Sequence, residues 1–524
     1  MNLNELYATQ QVGFPMLSAL IFLPLGILLM LGVIRDQKMG YQLALWGSVA
    51  ELALAGMVPM REFSADMQLV ERFGLFMGME YHLGVDGISA LFVPLTALLT
   101  LLAILYAEPA AKTDVRQYLM AMLGLEATMV GAFVSLDLML FWVFFVLELF
   151  PSYLLITKWG TGEKRREAAG FYVTIMAAGS ALMLAGILML GMNASQAGKE
   201  HIFDFLTLLT VPLSDKTQSL VFFMLFFGLA IKAPIFPFHT WMPRVLEQGP
   251  VVGMSIFLVG LKLGTYGFLR FVIPLVPDAS KEWFWLMALL GTVGMVYGAA
   301  IAMIQTNLRR LLAFASLSHM GVVMLGIFSL NFAGFQGGLL QMINLGIAGA
   351  GLFFIAGFLY TRLGQPDLSV LGGVERHAPV LAMTFLVIGL AGIGLPGTGG
   401  FNGEHLVMIG AYKVHWLMAL ATGIGTVLTA TYFFRYFLLG FLGEPSPAPA
   451  NPHTVATMPD IQKREMVIAT ALAAMIFWIG LDSGPFLRTM DGSLKALEQR
   501  VQQGATVHTA TAPAVTVSVA RQGQ

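Results

Sequence analysis

The chain has 524 residues, a formal net charge of −1, 57% hydrophobic residues and only 11% charged residues. A soluble domain carries about 25% charged residues, so this composition excludes an ordinary soluble protein, and the lack of a basic patch excludes a nucleic-acid-binding one. Cysteine is absent, which excludes disulfides, thiolate metal sites and iron–sulfur ligands in this chain.

Apolar runs of about 20 residues recur along the whole chain, and each is long enough to cross a bilayer as a helix. The first, Phe14 to Ile34, is too long for the apolar core of a signal peptide and predicts a retained helix. The pattern predicts an all-α polytopic membrane protein with about fourteen transmembrane helices, centred near residues 24, 49, 97, 126, 146, 179, 228, 264, 293, 320, 349, 390, 427 and 473.

Three segments fall outside these runs. Residues 61–84 are mixed in character and are expected to lie in the membrane interface. Residues 446–452 (SPAPANP) predict a flexible loop, and residues 501–524 predict a polar, disordered tail.

The spans show a weak internal symmetry. Spans four to eight and nine to thirteen each hold five helices, and an odd number inverts the second unit relative to the first. The fourth helix of each unit is broken, at AIKAPIFPFHTW and at GLPGTGGFNGEH. Such paired breaks are typical of ion-translocating folds. The predicted units are the N-terminal helices at 1–115, the first repeat at 116–277, the inverted second repeat at 278–443, a loop and last span at 444–485, and a polar tail at 486–524.

Loop charges predict the orientation of the chain. One side carries fifteen Lys and Arg residues in its loops, whereas the internal loops of the other side carry six. The positive-inside rule places the first side in the cytoplasm. The predicted location is therefore a bacterial inner membrane, with both termini on the outer side.

Six ionisable residues within or beside the predicted spans are candidates for function. A charge at the bilayer centre costs at least roughly 2.5–3.5 kcal/mol on insertion scales, so such residues are usually functional and face the protein interior. A series of Glu, Lys and His at mid-depth is what a proton relay needs, because each group must both accept and release a proton. The candidates are Lys232, Lys262, Glu404, His319, Glu148 and Glu126.

Structural roles are the alternatives for the same residues. A lysine can reach the interface or pair with a glutamate, Glu126 can belong to a salt bridge, and Glu404 can cap the broken helix. His319 can be a packing residue, and Asp86, near a helix start, can be only an N-terminal cap. No phosphate loop, dinucleotide fingerprint or metal-ligand spacing is present in the sequence.

Six motifs together carry a family resemblance: YHLGVDGIS, AIKAPIFPFHTWMP, LKLGTYGFLRF, NLRRLLAFASLSHMG, GLPGTGGFNGE and MPDIQKRE. They resemble the M-type antiporter-like subunits of respiratory complex I, the proton-translocating NADH:quinone oxidoreductase, over about residues 15 to 485. Lys232 matches the family lysine of the first broken helix, Lys262 the connecting lysine, His319 the SHMG histidine and Glu404 the acid of the second broken helix.

The resemblance implies fourteen transmembrane helices, one proton channel and no cofactor in this chain. NADH, FMN, iron–sulfur clusters and quinone are expected in partner subunits. The expected partners are L-, N- and K-type membrane subunits, the peripheral arm and the lipid bilayer, without nucleic acid.

The sequence departs from the family pattern at several positions. Val146 stands where the family has the glutamate that pairs with the first lysine, and Glu148 is expected to face away, because two residues rotate a helix by about 200°. Lys232 is thus expected to lack its acid partner, with Glu126 as a substitute, so that Glu126→Gln impairs transport without disrupting assembly. Leu345 stands at the usual histidine of the eleventh span.

One further loop differs: Arg244 and Leu246 replace a family acid and histidine. With these departures, other functions stay open beside a proton-translocating subunit of complex I. They are a multisubunit cation/proton antiporter, a hydrogenase or inorganic-carbon uptake complex, and a divergent, non-pumping second M-type subunit.

Overall fold

The computed structural model describes residues 3–444 and 455–504; the predicted loop at 446–452 lies outside them. The first helices are α1 (Ala8–Gln11), α2 (Met16–Val33), α3 (Gln37–Gly56), α4 (Phe92–Leu105), α5 (Ala107–Ala111), α6 (Val115–Val134), α7 (Leu138–Leu147) and α8 (Leu149–Trp159). The next are α9 (Arg165–Gln196), α10 (Phe205–Leu208), α11 (Asp215–Lys232), α12 (Trp241–Gln248), α13 (Gly253–Gly260), α14 (Lys262–Gly267), α15 (Ile273–Leu275) and α16 (Pro277–Glu282).

The remaining helices are α17 (Phe284–Ile304), α18 (Leu308–Ile327), α19 (Phe332–Leu363), α20 (Val374–His377), α21 (Pro379–Gly392), α22 (Gly399–Val414), α23 (Trp416–Phe437), α24 (Lys463–Leu481) and α25 (Gly484–Gln503). Short π-helical turns at Phe268–Val272 and Leu438–Leu442 follow α14 and α23, and a 3₁₀ turn lies at Val455–Thr457.

The helical membrane-protein class is confirmed. Ten of the described helical segments are long and apolar enough to cross a membrane, and α4 and α21 are shorter apolar helices. All fourteen predicted centres fall within helices, although the number of spans itself stays a prediction. The segments formed by α13–α15, α18 and α19 are almost wholly buried, so they form the centre of the bundle.

Both predicted breaks are present. The first lies between α11 and α12, where Pro234 and Pro237 remove backbone donors. The freed carbonyl of Ile231 accepts a hydrogen bond from the Trp241 indole N–H at 2.9 Å. The second break lies between α21 and α22, where Gly394 has a φ of +71° that favours glycine.

A small sheet was not predicted. Strands β1 (Glu5–Tyr7), β2 (Met67–Gly74) and β3 (Glu80–Val85) form it in the order β1-β2-β3, and β2 and β3 are antiparallel. Most of the mixed stretch at 61–84 is therefore a hairpin, and its position in the membrane interface stays a prediction. Arg72 fastens the sheet through ion pairs to Glu5 at 2.9 Å and Glu80 at 2.7 Å.

The first part of the predicted polar tail at 486–524 belongs to helix α25, which extends to residue 503, and residues 505–524 lie outside the described part of the chain. This helix is amphipathic. Its buried apolar residues recur every three or four positions, which is the helical period: Phe486, Met490, Leu494, Leu497 and Val501. Helix α25 packs against α15 and α16 and also against α19, so it ties the first repeat to the second.

Candidate functional site

Lys232 is the last residue of α11 and is fully buried. Its Nζ donates hydrogen bonds to the Glu148 carboxylate and, at 3.2 Å, to the Tyr172 hydroxyl. The other Glu148 oxygen accepts from the Ser152 hydroxyl at 3.1 Å. The Lys232 charge is therefore compensated by one carboxylate within a shell of aromatic and hydroxyl groups.

The Lys232–Glu148 contact overturns the expectation that Lys232 lacks an acid partner. That expectation assumed an uninterrupted helix, but α7 ends at Leu147 and α8 begins at Leu149. Pro151 explains the interruption, because proline has no N–H for the carbonyl four residues earlier and its ring clashes with that carbonyl. Glu148 lies at the resulting junction and faces Lys232, whereas the partly buried Val146 packs against apolar side chains.

Lys262 is equally buried but has no such partner. It begins α14, and the contact recorded for its Nζ is the Met320 sulfur at 3.5 Å. Among the described residues, no carboxylate lies within ion-pair distance of Lys262. His319 precedes Met320 on α18, and its Nε2 lies 3.4 Å from the Tyr432 hydroxyl on α23. The lysine and the histidine thus lie side by side near neutral groups.

A small cavity of about 40 Å³ lies beside these groups. Lys262, His319 and Tyr432 line it, among mostly apolar side chains. Leu345 also faces this cavity, so the position where the family motif has a histidine is part of the same space. A histidine at position 345 would therefore line the same cavity as Lys262 and His319.

Glu404 lies on α22, after the second break, and is buried. Its carboxylate accepts hydrogen bonds from the Gln341 side-chain amide at 3.3 Å and from the Thr426 hydroxyl at 2.9 Å. Gly394 makes room for it, because a Cβ atom there would lie 2.7 Å from the carboxylate. Glu404 therefore has neutral donors, in contrast to the lysine partner of Glu148.

Glu126 is not brought to Lys232. It lies fully buried on α6, and the charged group that interacts with it most strongly is Glu51 on α3. Neither carboxylate has a hydrogen-bond partner. The expected substitution of Glu126 for the partner of Lys232 therefore has no support in the geometry.

Sequence reasoning missed several groups of the site. Tyr172, Ser152 and Tyr432 carry no charge at neutral pH, so a search for intramembrane charges does not find them. Asp86 was considered only as a cap, and it does accept the Ile88 N–H at 2.9 Å. It also forms a buried ion pair with Arg270, a residue present in the quoted motif LKLGTYGFLRF.

One cluster outside the spans has metal-ligating side chains: Glu80, His82 and Asp204, whose ligand atoms lie within 4.8 Å of one another. The Arg72 guanidinium already pairs with Glu80 at 2.7 Å and lies 3.8 Å from Asp204. Burial opposes ionisation of Asp204, but the interactions with His82 and the hydrogen bonds from Thr207 together outweigh it and lower the pKa of Asp204. The cluster is thus a network of ion pairs and hydrogen bonds that links the sheet to Asp204 at the start of α10.

The helical bundle with two broken helices and buried Lys, His and Glu residues defines the class of antiporter-like membrane subunits. A family model described as "NADH:quinone oxidoreductase/Mrp antiporter, TM" matches residues 135–429. NADH-quinone oxidoreductase subunit M of Rickettsia prowazekii is 34% identical over 498 residues, which cover 92% of this chain and 98% of that protein. The chain belongs to the NADH:quinone oxidoreductase/Mrp antiporter transmembrane family.

Solved structures agree with this assignment. A chain of respiratory complex I from Thermus thermophilus with bound NADH superposes with a TM-score of 0.83 at 29% identity, covering 93% of this chain and 99% of that one. A chain of the Mrp complex from Dietzia sp. DQ12-45-1b gives a TM-score of 0.80 at 22% identity, covering 93% and 100%. The second likeness, at that identity, concerns the fold alone.

Proposed function

We propose that this chain is the M-type membrane-arm subunit of an NADH:quinone oxidoreductase and that it couples electron transfer elsewhere in the complex to proton translocation. Relatives with the name subunit M match over nearly their whole length, and a complex I chain shares the fold. The observation that carries the proposal is the buried Lys232–Glu148 pair at the first helix break. A charged pair in the interior of a membrane protein is expensive to keep unless it has a function.

The proposed relay begins when Glu148 and Lys232 separate. Without its carboxylate the buried ammonium is strongly disfavoured, so Lys232 gives up its proton towards Lys262. From Lys262 the proton passes to His319 and across the cavity, by way of the Tyr432 hydroxyl, to Glu404. The interaction of Lys262 with His319, the contact of His319 with Tyr432 and the interaction of Tyr432 with Glu404 support the later steps, whereas the step from Lys232 to Lys262 belongs to the proposal alone. Return of Glu148 to Lys232 then favours renewed protonation of the lysine.

The setting of the subunit belongs to the same proposal. NADH, FMN, iron–sulfur clusters and quinone are held by partner subunits, and the neighbours in the membrane are L-, N- and K-type subunits. The complex lies in a bacterial inner membrane, with both termini of this chain on the outer side. The excess of basic loop residues on one side supports that orientation.

A non-pumping subunit is the alternative that the geometry weakens. It was suggested by the apparent loss of two family groups, the acid partner of Lys232 and the histidine of the eleventh span. Glu148 is the acid partner of Lys232. Of the two losses, only the leucine at position 345 still argues for a non-pumping subunit. A cation/proton antiporter without electron transfer shares the fold and differs in its partners.

The test is the composition of the complex that co-purifies with this chain from native membranes in mild detergent, determined by mass spectrometry. We expect NADH-oxidising and quinone-site subunits. Small membrane subunits without redox proteins would overturn the proposal in favour of the antiporter. Once the redox partners are present, Lys232→Ala tests pumping: proton uptake that persists unchanged would contradict the relay.

A further inference from the structure

Two buried carboxyl groups lie together among the N-terminal helices. Glu51 on α3 is 1% exposed and Glu126 on α6 is 0% exposed. Their carboxylates interact electrostatically, and none of their four oxygens has a hydrogen-bond partner. Among the described residues, no lysine, arginine or histidine forms an ion pair with either one. No part of the proposed relay uses this pair.

Two hydroxyl groups add to this polar pocket. The Ser48 hydroxyl is buried and also lacks a partner; it precedes Glu51 by three residues on α3 and therefore lies on the same helix face. The Thr100 hydroxyl on α4 interacts with Glu126 and donates its own hydrogen to the Thr96 carbonyl at 2.9 Å. This bond engages the Thr100 hydroxyl with the backbone, and the Glu126 oxygens have no partner within hydrogen-bond distance.

The neighbouring ionisable groups do not compensate the pair. Each of them already has a hydrogen-bond partner elsewhere. On the helices the pairs are Tyr41 with Leu105, Glu108 with Arg464, Arg116 with Ile34, Glu148 with Lys232, Lys262 with Met320, Tyr266 with Phe133 and Arg362 with Glu465. On the strands they are Glu71 with Ser18, Arg72 with Glu80 and His82 with Asp204. Tyr118 has a buried hydroxyl without a partner, but it lies about 12 Å from Glu126 along the axis of α6.

Two ionised carboxylates cannot remain together under these conditions. Each ionised carboxylate is costly to place in the bilayer interior, and the repulsion between the two adds to that cost. Adjacent carboxyl groups relieve the repulsion when one of them binds a proton and donates a hydrogen bond to the other. Glu51 and Glu126 lie on helices that pack against each other, and their oxygens have no other partner, so this arrangement would satisfy them.

We propose that Glu51 and Glu126 form a proton-binding carboxyl pair that shares one proton at neutral pH. Ser48 and Thr100 provide the surrounding hydroxyl groups. The pair lies outside the Lys232–Glu404 relay, and its occupancy does not depend on the function proposed above.

The test counts protonated carboxyl groups by infrared spectroscopy of the purified complex. Their carbonyl stretch is separated from that of ionised carboxylates and shifts in D₂O. We expect the double variant E51Q/E126Q to lack the signal of one protonated carboxyl group per chain. Each single variant should keep that signal, because the remaining isolated glutamate then holds the whole proton. These readouts require neither electron transfer nor pumping.

Glu465→Gln is the matched control. Glu465 is as buried as Glu51, but its oxygens accept hydrogen bonds from Arg362 at 2.6 and 2.7 Å. Because this carboxylate is ion-paired, its replacement should not change the signal. Loss of two protonated groups in E51Q/E126Q would overturn the sharing. The proposal of a bound proton would also be overturned if E51Q/E126Q lost no signal of a protonated carboxyl group. If, in addition, sodium raised the thermal stability of the wild type but not of the double variant, the pair would bind a sodium ion instead.

A second measurement needs no variant. A hydrophobic carbodiimide reacts with protonated carboxyl groups in a membrane interior, and peptide mass spectrometry locates the adduct. In the wild-type complex we expect an adduct at Glu51 or Glu126 and none at Glu465. Unmodified Glu51 and Glu126, under conditions that modify other intramembrane carboxyl groups, would contradict the proposal.

Discussion

The two helix breaks treat a buried charge in opposite ways. At the first, Lys232 meets Glu148 directly, and the two charges compensate each other. At the second, Glu404 meets only the neutral Gln341 and Thr426. Lys262, between the breaks, follows the second pattern. The inverted repeat therefore preserves the break in the backbone but not the electrostatics of the site.

This difference indicates where proton movement can be controlled. A buried ion pair holds its proton until something separates the partners, because breaking the pair leaves an uncompensated charge. Groups with neutral partners beside a cavity lack this electrostatic attraction, so they can bind and release a proton without first breaking an ion pair. The Lys232–Glu148 pair is thus suited to control proton release in the proposed relay. The groups that line the cavity are suited to transfer the proton onward.

Breaking the Lys232–Glu148 pair is expected to have the largest effect. Removing one partner of a buried ion pair costs about 3–5 kcal/mol, so Glu148→Gln should reduce both the yield of assembled complex and its thermal stability. We expect NADH-driven proton uptake by inverted membrane vesicles to fall by more than about tenfold, which corresponds to a change of about 1.4 kcal/mol in the barrier.

The double variant V146E/E148Q is the control for position. It restores an acid at the site that the family motif uses, but Val146 packs against apolar side chains, so we expect no recovery of proton uptake. Recovery to the wild-type level would show that position 146 reaches Lys232 and would contradict the geometry of the α7–α8 junction.

Glu404→Gln is expected to separate transport from assembly. The amide keeps neutral hydrogen-bonding capacity towards Gln341 and Thr426, and no cation is left unpaired. Assembly, assayed by native gel electrophoresis, should therefore stay near the wild-type level, while proton uptake falls by about tenfold or more, as for a relay group that can no longer be protonated. An assembly defect as severe as that of Glu148→Gln would indicate a charged partner and remove the contrast between the two breaks.

The sequence predicted the broken helices well, because proline and glycine act locally on the backbone. It pointed to six buried ionisable residues for a similar reason, since a charge within an apolar run is visible without knowledge of packing, although it passed over the buried Glu51 and Arg270. Which acid pairs with which buried base was not predictable in this way. Whether Glu148 reaches Lys232 depends on how Pro151 interrupts the helix, and the ideal rotation of about 100° per residue does not apply across such a junction.

Helix α25 and the sheet were missed for different reasons. The apolar positions from Phe486 to Val501 have a helical period, so α25 could have been predicted from the sequence had the search not been limited to membrane spans. The pairing of β1 with β2 joins Glu5 to Met67, a contact distant in sequence that no local pattern indicates. The Glu51–Glu126 pair likewise depends on how α3 packs against α6.

Leu345→His sharpens the comparison by adding a titratable group to the cavity. The imidazole would stand in the space that Lys262, His319 and Tyr432 line. If transfer across this apolar wall limits the relay, proton uptake should rise by about two- to fivefold, within the range that one hydrogen-bonding group of about 0.5–1 kcal/mol provides. Leu345→Asn is the control for polarity without titration and should give a smaller gain. A loss of uptake in Leu345→His, with normal assembly, would show that the relay avoids this part of the cavity.

The smallest effect is expected from Tyr432→Phe, which removes only the hydroxyl near His319. The distance of 3.4 Å between the hydroxyl and His319 Nε2 indicates a weak hydrogen bond, and a net loss of about 0.5–1 kcal/mol corresponds to a two- to fivefold decrease in proton uptake. Because Tyr432 carries no charge, its loss leaves no buried charge uncompensated and the complex should assemble normally. Tyr436→Phe is the matched control: its hydroxyl donates to the Pro366 carbonyl at 3.0 Å, away from the histidine, and its loss should not affect uptake. Equal decreases in both variants would mean that the hydroxyl groups act through packing of the cavity wall, and the path from His319 to Glu404 would then have to pass through water in the cavity.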